Sequence, residues 1–338
     1  MDTFRRILAS GAAVLVLAGC ETLGYYAQAV SGHLSLMQAA QPLERLLADP
    51  QTPRGLRERL ELARQLREFA SKELGLPDNG SYRSYAELPR PFAVWNVVAA
   101  PEFSLEPLKS CFPVAGCVAY RGFFARGDAE RHAQGLREAG HDVYLYGVPA
   151  YSTLGRFDDP LLSTFIQYRE GDLARLIFHE LAHQVAYARD DSTFNESFAA
   201  VVEREGARRW FASRGRDEEQ HALAEAERRS AELEALLEAS RGRLASLYRA
   251  RLAPEAKRER KRAELAALKP KLAAHPRLAR AEPNNAFLAA HATYTRLVPA
   301  FERLLAEEGG NLERFYARVK RYADSAPSSR DPLSAPPR

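Results

Sequence analysis

The chain is poor in several things at once. Lysine and arginine exceed aspartate and glutamate by only four over 338 residues, and they are spread through segments that also carry many acids. That is no electrostatic footprint for nucleic acid, and no nucleic-acid partner is expected. There is no internal repeat. The apolar run at the N-terminus, Ile7 to Ala18, falls well short of the roughly 20 residues that a membrane-spanning helix needs. Cysteine occurs only at Cys20, Cys111 and Cys117, and methionine only at Met1 and Met37. What remains is ample for a core, because 46% of the residues are hydrophobic and 9% aromatic.

The N-terminus reads "MDTFRRILASGAAVLVLAGC": Arg5 and Arg6, a short apolar run, then small residues. This is the pattern of an export signal over residues 1–19. Leu17, Ala18, Gly19 and Cys20 match the bacterial lipobox, in which the cysteine becomes the lipidated first residue of the mature chain. The expected location is therefore the cell envelope, with the membrane as a partner through a lipid at Cys20. Glu21 stands where an aspartate would favour inner-membrane retention, which points to the outer membrane, facing the periplasm. Cys111 and Cys117, in "CFPVAGC", are then expected to form a disulfide, since a zinc-ligand reading lacks partners nearby.

Hydrophobic periodicity predicts an α+β fold, mostly helical. Residues 20–80 read as an N-terminal helical segment, with a hairpin turn at "DPQTPRG". Residues 81–212 read as a catalytic core with a small sheet, its strands in "PFAVWNVVAA", "CVAYRGFF" and "DVYLYGVPAYSTLG" and a helix in "GDAERHAQGLREAG". Residues 213–276, dense in Ala, Leu, Glu and Arg, read as two long antiparallel helices turning near Pro254. This hairpin is either docked on the core or a candidate surface for a protein partner. Residues 277–324 supply two further helices broken at Gly309 and Gly310, completing the core, and the Pro-rich tail 325–338 is expected to be disordered.

Within this frame, "LIFHELAHQVAYARDDSTFNESFA" carries the chemistry. On a helix, His179 and His183 lie on one face a turn apart and can each offer an imidazole nitrogen to one ion. Glu180 projects beside that ion and suits a base for its water. A metzincin would need a glycine where Ala186 stands, a histidine where Arg189 stands, and a methionine for the turn beneath the metal; all are missing. A carboxylate from a following helix is the alternative, and Glu196 offers it, with Ser192 or Thr193 as cap. Asp190 and Asp191 are rival ligands that can also serve as caps. Two histidines and one glutamate resemble the gluzincin arrangement, although the interval to Glu196 is short and Ala200 replaces the acid that often supports the histidines there.

Around this site, "VPAYSTLG" is expected to be an edge strand that pairs with a peptide backbone, with Tyr151 and Ser152 lining the cleft. Asp158 and Asp159 could meet a substrate amine, though a turn before Pro160 is the simpler role. Tyr294 is the chosen donor to the oxyanion, with His291 as the alternative, and Asn284 and Asn285 are candidate substrate contacts.

The stretches "LAGC", "FPVAGCVAYRGFF", "AYSTLGRFDDPLLSTF", "FHELAHQVAYARDDSTFNESFA" and "EPNNAFL" resemble a family of bacterial lipoproteins described as zinc aminopeptidases. The resemblance implies a gluzincin-like, zincin-fold peptidase holding one Zn²⁺ through His179, His183 and Glu196, with Glu180 as base and a peptide as substrate. Arg156 departs from the aromatic expected there. Two rivals share the same residues: a zinc hydrolase acting on a non-peptide amide of the cell wall, and a non-enzymatic envelope lipoprotein that binds partners through its long helices.

Overall fold

The computed structural model describes residues 24–112, 116–275 and 278–325; the export signal, Cys20 and the C-terminal tail from residue 326 lie outside them. The N-terminal part folds as three helices, α1 over 24–39, α2 (Leu43–Ala48) and α3 (Arg54–Lys72). The turn expected at "DPQTPRG" separates α2 from α3, where Thr52 Oγ1 donates to Leu46 O at 2.7 Å. The break before α2 goes beyond that expectation. There Gln41–Pro42 (β1) pairs with Ser84–Ala86 (β2), which pairs in turn with Leu161–Leu162 (β8).

The main sheet has Val94–Ala100 (β3) at its centre, antiparallel to Arg121–Phe123 (β6) on one side and Asp142–Val148 (β7) on the other. Both faces are covered, which is why β3 reads as a nearly unbroken apolar run. Val97 and Ala99 pack with Ala129 and Ala133 of α4 (Arg126–Glu138). Their neighbours Val98 and Ala100 point the other way, onto Ala286 and Ala290 of α9 (Asn285–Thr295).

Two strand expectations need correction. "CVAYRGFF" divides into Gly116–Val118 (β5), which pairs with Ser110–Phe112 (β4), and β6 of the main sheet. Secondly, the strand expected through "VPAYSTLG" stops at Val148. Pro149 offers no N–H to a ladder, and the Asp159 carboxylate captures the Thr153 amide at 2.8 Å, folding the segment between them into a turn. Leu154 and Gly155 both take positive φ in that turn.

The larger core is helical. It joins α3 to α5 (Glu170–Val185), α6 (Ser192–Ser213), α10 (Val298–Glu307) and α11 (Leu312–Ala323), through Leu66, Phe178, Phe198, Phe301 and Phe315 among others. Helices α5 and α6 run together closely because residue 206 is glycine: a Cβ there would come within 2.7 Å of Phe178 and 2.8 Å of Leu74. The break expected at Gly309 and Gly310 separates α10 from α11, and the helix expected before it divides once more, into α9 and α10, with Pro299 in the first turn of α10.

Helices α7 (Asp217–Arg249) and α8 (Pro254–Leu272) form the long hairpin that the composition predicts, turning at Pro254. It docks on α9, where Leu237, Leu244, Leu268 and Leu272 meet Phe287 and Leu288. An ion pair, Lys261 to Asp142 at 2.7 Å, ties α8 to β7 of the main sheet as well. Among the described residues, no helix is long and apolar enough to cross a membrane.

Candidate metal centre

Helices α5 and α6 place the three expected donors together. His183 Nε2 lies 3.2 Å from His179 Nε2, which is 3.2 Å from Glu196 Oε2. The third edge, His183 Nε2 to Glu196 Oε2, is 3.7 Å. The connection from α5 to α6 is short because its own side chains fold it. Asn195 clamps Ala188, accepting its N–H at 2.7 Å and donating to its carbonyl at 2.9 Å. Asp191, rather than Ser192 or Thr193, caps α6 by accepting from Phe194 N at 2.9 Å. Asp190 takes positive φ and accepts from Cys117 N at 2.6 Å. The two rival aspartates are therefore engaged in the turn, and Glu196 alone converges on the histidines.

This donor set fits a tetrahedral metal ion. Nitrogen and oxygen donors 2.0–2.1 Å from a common zinc are separated by about 3.3 Å from one another, close to the distances found here. The three groups also stabilise one another's charge. Burial opposes a charged His179, but Glu196 and Glu203 outweigh it and hold the imidazole pKa well above its usual value. For Glu196, burial is again outweighed, by His183 and His179, and its pKa falls well below the carboxylate range.

The partner that supports the histidine was missed in the sequence. Glu203 Oε2 lies 2.9 Å from His179 Nδ1, and Glu203 Oε1 accepts from Arg175 Nε at 2.9 Å. Glu203 follows Glu196 by seven residues and so shares its helix face, while Arg175 precedes His179 by four. Those spacings were the available signal. This carboxylate does the work expected of an acid at position 200, fixing the tautomer and orientation of the ring. His183 Nδ1 is buried with no hydrogen-bond partner among the described residues.

Glu180 lies on the same helix beside the donors. Burial raises its pKa above the ordinary carboxylate value; His179 and His183 oppose this, and Glu196 and Glu203 reinforce it. A carboxylate raised in this way is better matched to proton transfer near neutral pH.

Over Glu196 stand phenols from three separate elements. Tyr294 is drawn there because α9 packs on α6, with Leu297 N donating to Ser197 Oγ at 3.2 Å just beyond it. The Glu196 carboxylate is the largest influence on Tyr294, and with burial it raises the phenol pKa well above normal. Tyr294 lies beside Tyr146 of β7, whose phenol is pushed up to about 12, chiefly by burial. Tyr120 is raised by burial and then by Glu196. Tyr120 and Tyr146 had no signal in sequence.

The remaining candidates fall elsewhere. His291 lies between Phe287 and Tyr144, with ring centroids 4.4 and 6.4 Å away, rather than over the donors. Asn284 caps α9, accepting from Phe287 N at 2.8 Å and donating to Val143 O at 3.0 Å. Asn285 is fully buried, donates to the carbonyls of Pro101 and Glu102, and accepts from the Tyr248 hydroxyl at 2.7 Å. Both amides hold the fold together, which corrects their reading as substrate contacts. Tyr151 packs on His33 and Phe124 and Ser152 Oγ accepts from Leu154 N, both in the turn that replaces the expected strand. This turn abuts the metal helix, since a Cβ on Gly155 would come within 3.0 Å of Gln184, the residue after His183. Asp158 lies against Gly80, and Asp159 is buried in its turn role. Cys111 and Cys117 are joined as a disulfide across the β4–β5 hairpin.

Comparison with curated proteins and with solved structures finds no significant match. The sequence model of one family, described as "Putative aminopeptidase", matches residues 24–333, which include every element of the centre, and the chain belongs to that family.

Proposed function

We propose that the chain is a zinc-dependent peptidase of zincin type, held in the bacterial cell envelope by a lipid at Cys20. One observation carries the enzymatic reading: His179, His183 and Glu196 converge as three donors, and no fourth His, Cys, Asp or Glu joins them among the described residues. Three protein ligands are the mark of a catalytic zinc, whereas a structural site is closed by four. This weighs against the non-enzymatic reading.

His179, His183 and Glu196 would hold the ion, which when bound supplies a Lewis acid and lowers the pKa of water toward ~7. Glu203 keeps His179 oriented through Nδ1. Glu180 takes the proton of the attacking water and returns it to the leaving amine. Tyr294 donates to the oxyanion of the tetrahedral intermediate, with Tyr146 beside it. Strand β7, which pairs only with β3 among the described residues, takes over from "VPAYSTLG" as the edge available to a peptide backbone.

The test is zinc content by elemental analysis of the parent, Glu196→Gln and Glu180→Gln, each then incubated with a peptide library containing free and acetylated N-termini and read by mass spectrometry. The expected result is about one zinc in the parent, little in Glu196→Gln, and retained zinc without cleavage in Glu180→Gln. Loss of only the free-amine peptides would assign exopeptidase action. A parent free of zinc, or a Glu180→Gln variant that still cleaves, would overturn the proposal.

A further inference from the structure

Helix α1 has no Asp, Glu, Lys or Arg anywhere in 24–39, in a chain of which 27% is charged. It nevertheless lies at the surface. One of its faces is fixed to the body: Leu36 is in the core, Gln28 Oε1 accepts from Phe124 N at 3.1 Å, and Gly32 rests against the Phe124 ring. Tyr25 stacks on Phe112, under the guanidinium of Arg121 at 4.1 Å. His33 sits on Phe157 at 4.6 Å.

The opposite face is turned outward by these contacts. Tyr26, Val30 and Leu34, spaced by four and so aligned along the helix, are 38%, 57% and 51% exposed. Phe157, beside His33, is 53% exposed. These are four of the five exposed large hydrophobic residues among the described ones, the fifth being Leu108. A patch so concentrated, on a surface helix without charge, is not the scatter of single apolar residues that ordinary surfaces carry.

We propose that this face of α1, with Phe157, lies on a lipid surface. The position of the helix in the chain selects that occupant over a protein. It begins four residues after Cys20, and four residues span at most about 14 Å. A lipid at Cys20 therefore holds the start of α1 within about 14 Å of the bilayer, less than the helix's own length of about 24 Å. An uncharged face meets no repulsion from anionic headgroups and loses no ionic hydration at the interface, while its Tyr, Val, Leu and Phe supply apolar contact. Because the Phe157 turn abuts Gln184 next to His183, the rim of the metal centre lies near the same surface.

The proposal rests on the lipid anchor, and the test separates the two. The full chain, with its own leader, is produced in a bacterial envelope and purified in detergent. It is then reconstituted into phosphatidylethanolamine and phosphatidylglycerol vesicles containing lipid brominated in its acyl chains. Val30→Trp and Leu34→Trp each add one fluorophore, read as the difference from the parent, with Leu108→Trp as the control. The added tryptophans at 30 and 34 should lose about two-fold in fluorescence to the bromines, and the one at 108 should lose none. Flotation with the vesicles but unquenched tryptophans at 30 and 34 overturns the proposal and leaves the anchor standing. The same result with a dimer in detergent assigns the face to a second copy instead. A chain that does not float removes the anchor, and the proposal with it.

Discussion

Glu203 and His179 meet at 2.9 Å, Oε2 to Nδ1, on the side of the imidazole away from Glu196. The ring is thus gripped at both nitrogens by carboxylates from one helix. Its orientation is set by α6 as much as by α5, and Glu203 is itself held by Arg175. Glu203→Gln keeps the shape of the side chain and removes the charge. Zinc affinity should fall about 10–100-fold, measured by competition with a chromophoric chelator, while the fold is retained. Affinity within two-fold of the parent would show that the contact does not tune the ligand.

The parts of the centre differ in how far they could be read from sequence, for a physical reason. His179, Glu180 and His183 share one turn, so the period of a single helix relates them. Glu196 lies in the next helix and was legible as an acid behind a capping sequence, of whose candidate caps Asp191 is the one used. Glu203 depends on how α5 crosses α6, which Gly206 governs through its close contact with Phe178. Tyr120 and Tyr146 reach Glu196 only because a loop, a strand and two helices pack together, and no local pattern encodes that. Asn284 and Asn285 show the reverse error. A pair of polar residues before a helix looked like a site, and cap chemistry accounts for one and buried carbonyls for the other.

Tyr294 is expected to act on the transition state and not on binding. Tyr294→Phe should lower kcat about 10²–10³-fold, with KM and zinc content nearly unchanged. Tyr146→Phe removes the phenol beside Tyr294, so it should lower kcat by less while leaving the donor in place. Equal rates for the parent and Tyr294→Phe would assign the oxyanion to another donor.

His291 supplies a pH dependence of stability away from the metal donors. Burial lowers its pKa from 6.5 to about 4, and its Nε2 has no hydrogen-bond partner among the described residues. The unfolded chain therefore binds this proton more readily than the folded one. Stability is intact above 6.5 and is lost as the pH falls toward 4, by about 3 kcal/mol at most. In His291→Phe the ring packing on Phe287 survives and the titration does not. Its melting temperature should fall less than the parent's between pH 7 and pH 4.5; parallel curves would count against the assignment.

The Cys111–Cys117 disulfide closes the hairpin that braces the turn between α5 and α6. Gly116, with φ of +74°, brings the backbone against Asp190, leaving no room for a Cβ, and Cys117 N donates to the Asp190 carboxylate at 2.6 Å. The brace thus reaches the segment that delivers Glu196. Replacing both cysteines by alanine frees a loop with a sequence separation of 6, which the chain-entropy argument values at about 2 kcal/mol. Differential scanning calorimetry should show a melting temperature lower by several degrees. Zinc affinity, measured on the same sample, should weaken several-fold because the turn carrying Glu196 loses a contact. If stability falls and zinc affinity does not, the hairpin stabilises the fold without holding the third ligand in place, and the Asn195 clamp on Ala188 alone fixes that turn.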